Sequence, residues 1–101
     1  MTSEKIEKII KTELGNKLNI SNAHGVKLNE CLIKPVRQKY INPIEPYQTF
    51  ELWTVLIENE DGYRIFYDEK ENIFGLATKS EKNELLYLGN YGTFLETLKS
   101  M

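Results

Sequence analysis

The sequence predicts an α+β fold: an N-terminal helix, an antiparallel sheet of about five strands in meander order, and a short C-terminal helix, with the helices packed on one face. Three observations predict it. Apolar residues recur at helical spacing near both ends of the chain. Between the ends they fall into short runs rich in β-branched and aromatic residues. The polar turns separating those runs are too short for a crossover between parallel strands.

Length and composition set the frame. A chain of 101 residues suits a single domain over residues 1–101, with one core. Its 41% hydrophobic and 28% charged residues are the balance of a globular chain, which excludes a disordered or coiled-coil reading. One cysteine, Cys31, forbids an internal disulfide and points to a reducing compartment, so a cytoplasmic location is expected. The start, Met1-Thr2-Ser3-Glu4-Lys5, lacks the apolar run of a signal peptide, and no apolar stretch approaches a membrane span. Net charge is only −2, although residues 1–42 carry eight Lys/Arg against four Asp/Glu and residues 43–101 carry five against eleven.

Ile6, Ile9, Ile10 and Leu14 lie on one stripe of a helix, with Ser3 expected as N-cap and Gly15 as the stop. Asn16 to Lys27 has no period and reads as a connector, with a short extended piece at Leu18 to Ile20. Cys31 to Ile41 is rich in β-formers, and Pro35 within it marks an edge strand or a bulge. Asn42-Pro43-Ile44-Glu45-Pro46 is a rigid loop by its prolines; its PxxP pattern lies between two strands, whereas recognition ligands of that type sit in disordered tails.

Phe50 to Glu58 is apolar on both alternating faces, as in a strand near the centre of a sheet. The turn ending in Asp61-Gly62 then joins it to Tyr63 to Tyr67 as a hairpin. Ile73 to Thr78 is a fourth strand, in which Gly75 and Ala77 leave room for a helix to approach, and Leu85 to Leu88 a fifth. Gly89-Asn90-Tyr91-Gly92 breaks the pattern. Thr93 with Glu96 forms a capping box ahead of Phe94, Leu95, Leu98 and Met101 on one helical face.

No constellation for catalysis or metal binding stands out. His24 and Cys31 are single residues without ligand spacing, and each has an ordinary role open to it, capping or exposure for His24 and core filling for Cys31. Asp68-Glu69-Lys70-Glu71-Asn72 resembles a calcium loop, but Lys70 stands where the third oxygen ligand belongs and Ile73 where the glycine does. Gly89 to Thr93 leads into a helix as phosphate loops do, without their lysine or third glycine. No cofactor, metal or catalytic centre is therefore expected.

Lys34, Arg37 and Lys39 beside Tyr40 could track a phosphate backbone. An acidic chain with so few such charges argues against nucleic acid, and edge-strand lysines have a protective role against edge-to-edge pairing.

ELWTVLIENEDGYRIFYDE (51–69), FGLAT (74–78) and YLGNYGTFLETLKSM (87–101) resemble small stand-alone bacterial proteins of uncharacterised function. That resemblance implies an α+β fold and cytosolic residence, and it implies no catalytic residues.

The function expected from the residues is protein binding, of an immunity or inhibitor type that occludes another protein or pairs with a second copy. The sheet face left free by the helices is the expected contact. Tyr40, Tyr63 and Tyr67 are its anchors, since rigid aromatics supply area at low entropic cost, with Lys34, Arg37 and Lys39 beside them. The alternative is a small-molecule binder or minor enzyme with a pocket between sheet and helices near His24, Tyr91 and Thr93.

Overall fold

The computed structural model describes residues 1–15, 28–45, 47–59 and 62–101, and the connector expected after Gly15 falls outside them. Helix α1 runs Ser3–Leu14. Its N-cap is Thr2, one residue earlier than expected, whose Oγ1 accepts from the Lys5 N–H at 3.3 Å. Ser3 is thereby free to donate its hydroxyl to the Pro35 carbonyl, 2.9 Å away, which fastens the start of the helix to the first strand. Ile6, Ile10 and Leu14 are buried on one stripe, each contributing about 1.5–3 kcal/mol by leaving water. Gly15 ends the helix at φ 56°, where a Cβ would be strained, and its N–H bonds the Lys11 carbonyl at 2.8 Å.

A one-turn helix α2 (Leu28–Cys31) replaces the expected start of a strand at Cys31 and leads into β1 (Leu32–Ile41). Strands β2 (Thr49–Ile57), β3 (Arg64–Asp68), β4 (Ile73–Lys79) and β5 (Leu85–Gly92) follow, then helix α3 (Phe94–Lys99). Each strand pairs antiparallel with the next, as the meander requires. The expected hairpin is β2–β3, with Trp53 opposite Tyr67 and Ile57 opposite Arg64.

The sheet closes on itself into a small barrel. Ile41 of β1 pairs parallel with Leu86 of β5, and that one pairing is the seam. Four irregularities bend the strands. Register shifts between Leu32 and Val36 on β1, and this is where Pro35, which has no N–H to donate, is accommodated. On β2 Val55 is an extra residue between Thr54 and Leu56, so Val55 and Leu56 both feed the helix-side core. On β5 Leu88 and Tyr91 are extra residues opposite β4, and these bulges carry the strand through Gly89 to Gly92, which the sequence predicts as a break.

Closure gives the sheet two buried faces. The outer one packs on α1 and α3 through Ile6, Ile10, Leu14, Val55, Leu56, Ile65, Phe74, Phe94 and Leu98. The inner one is a cluster of Tyr40, Leu52, Phe66 and Ala77, bordered by Phe50 and Tyr87. Gly75 serves this inner face and not the approach of a helix. A Cβ there would overlap both the Phe66 ring and the Gly89 carbonyl oxygen.

Gly75→Ala is therefore expected to lower unfolding free energy by about 1–3 kcal/mol through overpacking, read as a lower midpoint in urea at unchanged slope. A midpoint within error of the parent would show that Phe66 does not occupy that space.

Candidate functional site

The surface that stands out is built on the loop from β1 to β2. Asn42 organises it by accepting at Oδ1 from the N–H groups of Ile44 (3.0 Å) and Glu45 (3.4 Å), an Asx turn. Its Nδ2 donates to Gln48 Oε1 at 2.9 Å, its N–H to the Gln48 carbonyl at 3.1 Å, and the Gln48 N–H to the Glu45 carbonyl at 2.8 Å. Pro43 fixes φ within the same turn. On this braced backbone Ile44 is 88% and Tyr47 100% exposed.

Strand β5 extends the surface. It pairs parallel with β1 at Leu86 and Ile41, where the loop begins, and the Phe50–Tyr87 ring contact at 4.9 Å ties β2 to β5 on the inner face. Its two bulge residues, Leu88 and Tyr91, are 47% and 45% exposed. Both follow residues paired to the inner face, Tyr87 and Asn90, and so face outward. The second side of β5 from Tyr87 to Gly92 has no strand paired to it among the described residues.

The residues singled out from the sequence are dispersed. Tyr40 is fully buried in the barrel interior, and Tyr67 is buried against Phe74 with its hydroxyl donating to Asn72 Oδ1 at 2.6 Å. Tyr63 is half-buried against the helix-side core. The exposure expected of Tyr40 fails because closure turns its face inward, and that of Tyr63 and Tyr67 because they lie on the face the helices cover. Lys34 pairs with Glu4 at 3.7 Å, and Arg37 sits between Glu51 at 2.9 Å and Glu69 at 3.7 Å. Lys39 opens onto a different part of the barrel, so the three cations form no continuous track.

His24 lies outside the described residues. Thr93 caps α3: its Oγ1 accepts from Glu96 N–H at 3.1 Å, and its own N–H donates to the Glu96 carboxylate at 3.2 Å. The cavity of about 390 Å³ beside Thr93 is lined by Glu13, Glu71 and Glu96, and Tyr91 is not part of it. The helix start there is already occupied by an anion of this chain. The Phe94 and Leu95 N–H groups donate to the two oxygens of Glu13, at 3.2 and 3.3 Å. Together with the Thr93 hydroxyl this satisfies the first three N–H groups of α3. In the acidic turn Asp68 Oδ1 accepts from the Lys70 and Glu71 N–H groups, which makes it a plain chain reversal. Cys31 Sγ lies 3.7 Å from the Glu58 carbonyl. No cluster of three metal-ligating side chains occurs among the described residues, and none of their helices is long and apolar enough to cross a membrane.

Inside the barrel, Tyr40, Thr54 and Gln38 form a hydrogen-bonded chain. The Thr54 hydroxyl donates to Gln38 Oε1 at 2.5 Å, so its oxygen is left to accept from the Tyr40 hydroxyl. Burial pushes the Tyr40 phenol up from 10.0 to about 12, against the opposing Thr54 bond and Arg64 charge. Burial also raises Tyr67 and Tyr87, with nearby Glu69 and Asp68 adding to the first and Asp68 to the second.

Two outcomes are expected. Glu13→Ala strips an 81-residue-distant cap from α3 and should cost about 1–2 kcal/mol, with Glu13→Gln intermediate, as read by denaturant midpoints. Because the folded phenol of Tyr40 holds its proton more tightly than the unfolded one, its stabilisation is full below pH 10.0 and is lost as pH rises to about 12. The loss approaches about 2–3 kcal/mol. Tyr40→Phe should flatten the fall in stability over that window, and an equally steep fall in the variant refutes the assignment. No family model, curated protein or solved structure matches the chain, so the reading of its function rests on its own residues.

Proposed function

We propose that this chain is a protein-binding module, of the immunity or inhibitor type, that acts by covering part of another protein. One observation carries the reading: two large apolar side chains, Ile44 and Tyr47, are held fully in solvent on a loop whose backbone is tied at both ends by Asn42 and Gln48. Exposure of this kind costs solubility and contributes nothing to the core, whereas a braced aromatic and a branched aliphatic residue meet a partner with little ordering entropy left to lose. Leu88 and Tyr91 supply flanking apolar area on β5, and the strand's unpaired side offers backbone groups to an extended partner segment.

The test is the double variant Ile44→Ser/Tyr47→Ser. Both side chains are exposed, so its stability should stay within about 0.5 kcal/mol of the parent. A protein retained by the parent chain is purified and titrated against both forms, and the double variant should bind at least about tenfold more weakly. Light scattering on the same pair identifies the case in which the occupant is a second copy. Equal affinity and equal mass for the two forms would overturn the proposal.

A further inference from the structure

The interior hydrogen-bonded chain ends at an opening in the barrel. Around the Ile41–Leu86 seam the sheet leaves a cavity of about 590 Å³, bordered by Gln38 and Lys39 of β1, Arg64 of β3, Lys79 of β4, and Asn83 and Glu84 of the β4–β5 turn. Two lysines face a single carboxylate, Glu84, on this wall. Lys39 and Lys79 differ from Lys34 and Arg37 in having no ion-pair partner among the described residues. Arg64 is 6% exposed, and its Nη1 donates to the Gly62 carbonyl at 3.3 Å, which fixes where the guanidinium sits.

The amide of Gln38 is oriented from within. Its contact with Thr54 Oγ1, at 2.5 Å, is in the range of an O–H···O bond and too short for N–H···O, so Oε1 faces the barrel interior. What remains for the cavity is Nε2 with its two protons. Tyr40 to Thr54 to Gln38 thus conducts a fixed donor sense outwards, and the wall it reaches already carries two ammonium groups and a guanidinium. The turn opposite is rigid: Ser80 Oγ accepts from the Lys82 and Glu84 N–H groups, both at 3.2 Å, and Asn83 holds φ 63°. The volume exceeds what a bare oxyanion needs, and Ile41, Ile57 and Leu85 line the remainder.

We infer that this opening binds a small phosphomonoester. Its phosphate is held by Lys39, Lys79 and the Gln38 amide, and its organic part lies against the three aliphatic side chains. Two ammonium groups and an amide donor bordering one cavity match an oxyanion's several acceptors, and the aliphatic remainder distinguishes an ester from the free ion.

The probes are ribose 5-phosphate, inorganic phosphate and ribose, each titrated at constant ionic strength into the parent chain labelled with nitrogen-15. Ribose 5-phosphate should shift the Gln38 side-chain amide signals saturably, with a dissociation constant below about 1 mM. Inorganic phosphate should do so more weakly, and ribose not at all. Lys39→Glu/Lys79→Glu should weaken ribose 5-phosphate at least about tenfold. Lys39→Gln, which only neutralises one charge at an exposed position, should fall between and guards against loss of fold in the double variant. Absence of saturation up to about 10 mM would overturn the inference. So would equal affinity for ribose, or a double variant that is folded and binds as well as the parent. Ile44 and Tyr47 lie outside this cavity, so the outcome is independent of the protein-binding test.

Discussion

Phe66 decides the shape of this molecule. Its ring fills the space that Gly75 leaves empty and touches Tyr40 and Tyr87, each at a centroid distance of 5.5 Å. Tyr87 in turn meets Phe50 at 4.9 Å. Four rings from β1, β2, β3 and β5 therefore converge on one side of the sheet, and they bury apolar area only if the sheet curls around them. Without that convergence Tyr40 would lie on an open face, and no seam would exist to border a cavity.

Curling converts a half-buried sheet into one with an aromatic interior and a helix-covered exterior. The bulges make this compatible with one sequence. Val55 and Leu56 enter the helix-side core in succession, while Thr54 before them faces inward to Tyr40 and Gln38. Regular alternation would have forced one of the three to the wrong side. Leu88 and Tyr91, the extra residues of β5, lie on the outer side and stay in solvent.

Elements whose signal is local were legible in the sequence. The stripe of Ile6, Ile10 and Leu14, the stop at Gly15, the β2–β3 hairpin and the Thr93–Glu96 capping box each depend on residues a few positions apart. Closure was not legible, because the apolar run from Phe50 to Glu58 is equally consistent with a central strand of an open sheet, and nothing nearby states that β1 will find β5. Tyr40 was misplaced for that reason, and Tyr63 and Tyr67 because the alternation does not say which face the helices cover. Ile44 and Tyr47 were passed over because prolines and asparagine identify a loop without saying which of its side chains stay in water. Glu13 as the cap of α3, and Gln38 as the outer end of an interior chain, are pairings across strands or across most of the sequence, which periodicity does not encode.

The carboxylate of Glu13 joins two stretches of chain 81 positions apart, and the Met1 ammonium, 3.6 Å from Glu69, makes a second long tie. Bringing the ends of an unordered segment of that length together carries an entropic penalty of about 4 kcal/mol. The β2–β3 and β3–β4 connections span only a few residues and close at far smaller cost. Once the strands are paired they shorten the path between the terminal helices, and the ties made by Glu13 and Met1 then close at a fraction of that cost.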